Sequence, residues 1–208
     1  MRKTVVLALF ALVSVASYAQ VSFDVKAGMN LSNATGVDDA DPKIGVNAGV
    51  GMEYRFSEMW SIQPSLMFSM KGFKASEDFY KTTASPMYIQ LPVLAAVRFG
   101  VAANQNVVVK AGPYFAYGVG GKYKLTTRTG AGGMETEKGD IFGGENGWNR
   151  FDAGLAFGID YEIGKFFVGL GGEIGITKLS DQPTDDMDEI DPKYPRNLTF
   201  TIGVGYKF

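Results

Sequence analysis

The sequence contains no cysteine and no histidine. Without cysteine there is no disulfide, no thiolate metal site and no thiol nucleophile. Without histidine, the usual general base of neutral-pH catalysis and the commonest metal ligand are both missing. Excess positive charge is lacking too: 20 Lys and Arg stand against 22 Asp and Glu, so no basic footprint points to nucleic acid. After Gln20 there is neither a sustained helical period nor an apolar run of the about 20 residues that a membrane helix needs.

What is present begins with a leader-like segment. Arg2 and Lys3 precede an uncharged apolar run from Val5 to Ala16. Ser17-Tyr18-Ala19 then offers small residues at the two positions a signal peptidase reads. Cleavage between Ala19 and Gln20 is predicted, which divides the chain into a signal peptide (1–19) and a single mature domain (20–208). The mature part carries 18 basic and 22 acidic side chains, a charge of −4. Export without cysteine fits a bacterial envelope protein better than a disulfide-stapled secreted domain.

The mature chain alternates with period two, which sends successive side chains to opposite faces of a strand. In the last segment Leu198, Phe200, Ile202, Val204, Tyr206 and Phe208 share one face, while Asn197, Thr199, Thr201, Gly203, Gly205 and Lys207 share the other. Seven more segments repeat the pattern, at 21–31, 43–56, 60–72, 86–99, 106–125, 149–163 and 166–179. Their apolar faces hold no charge, and the opposite faces collect Glu53, Arg55, Arg98, Lys110, Arg150, Asp152, Asp160 and Glu173 among others. Short connections at Ser57–Met59, Gly100–Gln105 and Gly164-Lys165 alternate with long polar ones at 32–42, 73–85, 126–148 and 180–196. Eight strands so connected predict an all-β, antiparallel, up-and-down transmembrane barrel.

Alternation alone does not say whether the apolar face meets a soluble core or lipid. Three features favour lipid. Glycines crowd the charged face (Gly45, Gly49, Gly51, Gly154, Gly158, Gly169, Gly171), which makes sense only in a lumen barely wide enough for side chains. Large aromatics gather by the short turns (Tyr54, Phe56, Trp60, Phe99, Tyr161, Phe166), where an interfacial girdle belongs. The chain also ends on an alternating strand with Tyr206 and Phe208, the kind of terminal signal that outer-membrane assembly machinery reads. Pro64, Pro92 and Pro113 fall inside proposed strands and remove ladder bonds, so bulges are predicted there.

Lys26-Ala27-Gly28-Met29-Asn30-Leu31-Ser32, Tyr88-Ile89-Gln90-Leu91-Pro92-Val93, Lys110-Ala111-Gly112-Pro113-Tyr114 and Phe151-Asp152-Ala153-Gly154 carry a resemblance. With the Phe-terminated last strand, the chain resembles the PorT-like outer-membrane β-barrel proteins, often called the porin family. The resemblance spans the mature chain and implies the barrel fold, the outer membrane as its address, and prolines in these strands. This chain has Gln90 where that pattern has Glu.

The lumen charges (Glu53, Arg55, Arg98, Lys110, Arg150, Asp152, Asp160, Glu173) are expected to pair into a plug, because charges taken out of water cost several kcal/mol unless paired. Asp160 and Glu162 could form a carboxylate pair, but the histidine that outer-membrane hydrolases generally use is absent, so no catalytic role is expected. The acidic stretch Asp181–Asp191 lacks the spacing and turn glycine of a calcium loop and reads as a solvated loop. Gly118-Val119-Gly120-Gly121-Lys122 lacks the spacing of a phosphate loop and lies in a strand. No cofactor is expected. The partners expected are outer-membrane lipid, the barrel-assembly machinery and an unnamed ligand of the long loops. The expected role is structural or surface-interacting; a narrow gated pore and a soluble periplasmic barrel with an apolar ligand are the alternatives.

Overall fold

The computed structural model describes residues 20–36, 40–76, 80–128, 133–142, 147–180 and 194–208. The proposed leader and the acidic stretch 181–191 lie outside these residues. Among the described residues ten strands form: β1 (Val21–Thr35), β2 (Ala40–Arg55), β3 (Trp60–Met70), β4 (Phe73–Ser76), β5 (Tyr80–Ala102), β6 (Gln105–Arg128), β7 (Met134–Asp140), β8 (Phe151–Ile163), β9 (Phe166–Gly175) and β10 (Arg196–Lys207).

Eight of them close a ring. β1 pairs with β2 and β2 with β3; β3 pairs with β5, β5 with β6, β6 with β8, β8 with β9 and β9 with β10. β10 returns to β1 over twelve residue pairs, from Asp24 opposite Lys207 to Thr35 opposite Arg196. Every pairing is antiparallel, and closure leaves no edge in the ring, so backbone groups find partners without water. The fold is an eight-stranded antiparallel barrel.

Its faces settle the fork left by the sequence. Ile44, Val50, Leu170 and Val204 point outward and are 64%, 55%, 62% and 58% exposed. Glu53, Asp152 and Glu162 point inward and are 1%, 0% and 2% exposed. Apolar side chains thus coat the outside as a continuous band, the reverse of a soluble barrel built around an apolar ligand. The girdle stands at the short-turn end, where Tyr206 packs edge-on against Phe166 and Phe208 with ring centroids 5.0 and 5.4 Å apart. In outer-membrane barrels the short turns face the periplasm and the long loops face outside.

The prolines do not produce the predicted bulges. Pro64 stands opposite Val93 and Met67 opposite Gln90 in one unbroken register. Pro92 stands opposite Tyr114 and Ala95 opposite Ala111, again without a shift. Each strand residue sends its N–H to one neighbour only, so a proline removes one ladder bond and leaves the pairing in place. The register shifts instead where Met87 faces Gly120 but Tyr88 faces Gly118, leaving Val119 as the extra residue.

Ring strand lengths differ from the alternation in both directions: β1, β2, β5 and β6 run further, while β8 begins only at Phe151 and β9 stops at Gly175, short of the expected 179. The third segment ends at Met70 and resumes as β4 after Lys71 and Gly72, whose φ is +144°. β5 begins at Tyr80, inside the stretch read as loop 73–85, and β7 lies inside the stretch read as loop 126–148. β2, β4, β5, β6 and β7 continue as an open sheet wall beyond the ring, with β4 bridging β2 and β5 and β7 paired to β6.

Candidate functional site: the lumen and its mouth

Small inward residues on β1, β2, β8, β9 and β10 leave space that long charged side chains from the other strands cross. The charges meet at three levels. Nearest the short turns, the Glu53 carboxylate accepts from Arg98 Nη2 and Lys207 Nζ, each at 2.7 Å, from Ser61 Oγ at 2.8 Å and from Gln63 Nε2 at 3.2 Å. Arg98 and Lys207 also donate to Glu162, and Arg55 lies 3.4 Å from Glu53. Five strands are thereby tied together across the barrel.

At mid-height Lys26 Nζ lies 3.1 Å from Asp24 and donates to Ser65 Oγ at 2.9 Å, while Lys110 donates to Asp160. Asn30 extends this layer: its amide nitrogen donates to Ser69 Oγ at 3.0 Å, and its oxygen accepts from Asn47 at 2.5 Å and Thr201 at 2.9 Å. A cavity of about 140 Å³ opens beside these side chains, bounded also by Gln90 and Glu173.

The third level centres on Lys71, which is fully buried. Its ammonium lies 2.8 Å from Glu173, 3.8 Å from Asp152, and over the Tyr114 and Tyr88 rings at 4.7 and 5.6 Å. Asp152 accepts from Thr177 and Asn197 at 2.8 Å each and from Tyr114 at 3.1 Å. Gln90 donates to Glu173 at 2.5 Å. An amide fits that position because a second carboxylate there would face Glu173 with no proton between them.

Seven of the eight lumen residues singled out in the sequence enter this network. Arg150 does not. Its guanidinium donates to the carbonyls of Gly118 at 2.9 Å and Phe142 at 3.1 Å, at the rim rather than to a lumen carboxylate. Residue 150 precedes β8, where the chain is still leaving the loop, so its side chain stays above the lumen. Lys71, Lys207 and Asp24 belong to the network although only their alternation parity marked them, and Glu162 and Lys26, noted in the sequence for other reasons, join them. Asp160 and Glu162 are each engaged by cations rather than by each other.

Ile141, Phe142 and Trp148, described residues between β7 and β8, lie over the mouth. Ile141 and Phe142 are buried, and Phe142 meets Tyr88 edge-on with centroids 5.7 Å apart. Trp148 stacks on Phe73 at 5.8 Å and 9°. Arg150 sits 5.4 Å from the Phe142 ring and pins it. Leu179, Ala34 and Ala84 are also buried at this end, giving the loops an apolar seat on a polar lumen. Among the described residues no group of three or more acidic side chains could hold a metal.

A closed ring of strands with an apolar outside and a charged inside is an integral membrane β-barrel. Residues 16–181 match the family described as "Outer membrane protein beta-barrel domain". The chain belongs to that family and resides in the cell outer membrane, in contact with its lipid. Several solved structures are similar to it. Neisserial surface protein A is 12% identical over 90% of this chain and 99% of its own, with a TM-score of 0.46. Ail, the attachment invasion locus protein of Yersinia pestis, is 15% identical over 91% and 99%, with a TM-score of 0.42. OprG from Pseudomonas aeruginosa is 10% identical over 91% and 96%, with a TM-score of 0.44. No curated protein matches the sequence.

Proposed function

We propose that this outer-membrane protein is a closed, non-conducting barrel with a structural or surface-interaction role, and that it is not an enzyme. One observation carries the reading: charge pairs cross the lumen at three levels and the Phe142 segment covers its mouth. Eight strands enclose an interior that side chains fill, and paired buried charges resist separation because each broken pair leaves an uncompensated ion. The rigid wall then serves as a mount for the outer loops, the part of such a scaffold free to meet partners.

Further steps of the reading concern biogenesis and affiliation. The first nineteen residues act as a leader cut between Ala19 and Gln20, and the mature domain spans 20–208. Tyr206 and Phe208 serve as the signal for the barrel-assembly machinery. Within the family, the PorT-like proteins are the proposed relatives. N-terminal sequencing of protein purified from the outer membrane tests the cut.

Planar-bilayer recording of the purified barrel tests closure. The expected trace is flat at all voltages. Stepwise currents would favour a narrow gated pore instead, with the cavity between the ionic levels as its vestibule.

A further inference from the structure

The sheet wall beyond the ring has two chemically distinct faces. One carries Ala40, Phe73, Ala75, Ala84 and Tyr123, which pack into the apolar cluster at the mouth. The opposite face is set by register. Asp41 stands opposite Lys74, Lys74 opposite Thr83, Thr83 opposite Lys124, and Lys124 opposite Lys138. One step along, Ser85 pairs with Lys122 and Lys122 with Asp140; on the other side Lys81 pairs with Thr126. Lys74, Lys81, Lys122, Lys124 and Lys138 thus share one face, and all five are exposed.

That face continues the lipid-facing surface of the barrel. Ile89 and Tyr117 point outward, then Val119, and the extra residue at the Gly118–Gly120 bulge brings the outward parity to Lys122 and Lys124. At ~3.4 Å per residue, Lys122 stands ~7 Å beyond the last apolar level and Lys124 ~14 Å beyond it. With strands tilted by about 40° these become heights of ~5 and ~10 Å. Lys122 therefore lies within a headgroup layer ~5–7 Å deep. Lys124 and Lys138 stand just above it, their long side chains reaching back to its phosphates. Lys124 and Lys138 face each other directly, an arrangement that repels and is relieved by an anion lying between them. Among the described residues none of the five lysines is ion-paired, and only Asp41 and Asp140 oppose them in their own rows. A cluster of five cations is conspicuous in a mature chain whose net charge is −4.

We infer that this lysine face binds the phosphate groups of a phosphorylated glycolipid in the outer leaflet, so that the wall is clamped to the headgroup layer. The inference rests on the membrane placement and register of the barrel, and is independent of whether the lumen conducts.

The test uses the full mature barrel in phosphatidylcholine nanodiscs, titrated with phosphorylated lipid A, with bound glycolipid counted by native mass spectrometry. Two triple variants are compared: K122Q/K124Q/K138Q and K122R/K124R/K138R. Each lysine near an anionic surface contributes roughly fivefold to attraction, so the glutamine variant should bind on the order of a hundredfold more weakly. The arginine variant should bind as the parent does. Both should keep the parent's heat-modifiable gel mobility, since the lysines are exposed. Equal retention by parent and glutamine variant overturns the inference, as does equal binding of lipid A stripped of phosphate. Full displacement by millimolar inorganic phosphate would assign the face to a soluble anion and also overturn it.

Discussion

Lys207 Nζ lies 2.7 Å from Glu53 Oε2, a contact between residues 154 positions apart in sequence. Glu53 is the hub of its level, receiving Lys207, Arg98, Arg55, Ser61 and Gln63 together. Replacing it removes the only carboxylate within reach of Arg55 among the described residues and strips Arg98 and Lys207 of half their neutralisation.

Glu53→Gln is therefore expected to lower stability by about 3–5 kcal/mol, the usual cost of breaking a buried charge network on one side. Urea unfolding in detergent micelles, followed by tryptophan fluorescence, measures it. A change below about 1 kcal/mol would show that the hub contributes little.

Gln90 gives a second, directional test. Its amide donates to Glu173 at 2.5 Å, so Gln90→Glu exchanges a donor for a like charge. Gln90→Leu loses only the bond, about 1.5–3 kcal/mol for one to a charged acceptor. The glutamate variant should be the less stable of the two in thermal unfolding at neutral pH; the reverse order would mean that water or Lys71 absorbs the added charge.

The stopper depends on a missing side chain. A Cβ at Gly118 would sit 2.6 Å from Phe142 Cε1, so Gly118→Ala must displace the ring. The amides of Ile141 and Trp148, which donate to Gly121 O at 3.1 Å and Ile141 O at 2.9 Å, should then exchange hydrogen about tenfold faster or more. Unchanged exchange at both amides would detach the ring from the closure of the mouth.

Two short turns rely on left-handed backbone, at Asn104 with φ 57° and Gly164 with φ 59°. Nothing lies within 4 Å of a Cβ placed on Gly164, so only the dihedral penalises a side chain there. Gly164→Ala should cost about 1–2 kcal/mol by urea titration. A neutral result would indicate that the turn relaxes to another type.

The eight ring strands and their inward and outward parity were legible because a bilayer on one side and a narrow lumen on the other impose opposite chemistries on alternate residues. Beyond the lipid band that contrast fades. In β7 the sequence Met-Glu-Thr-Glu-Lys-Gly-Asp has no apolar face, so its pairing to β6 left no mark on composition. The bulge at Val119 and the intact register at the three prolines depend on which residue stands across the ladder, and one chain's alternation carries no record of that. Lys71 looked like any other inward charge; only the meeting of β3, β6, β8 and β9 puts it between Tyr114, Asp152 and Glu173.

The pairing of β1 with β10 has a consequence for quality control in the cell. A chain interrupted between Gly175 and Arg196 has the other seven ring strands yet keeps two bare edges, and each is a template for a stranger's strand. Such a fragment also lacks Lys207 and leaves Glu53 short of a cation. Completion is thus all-or-none, and an envelope protease needs no recognition code to sort finished molecules from unfinished ones: the unfinished ones are those with an edge left to grip.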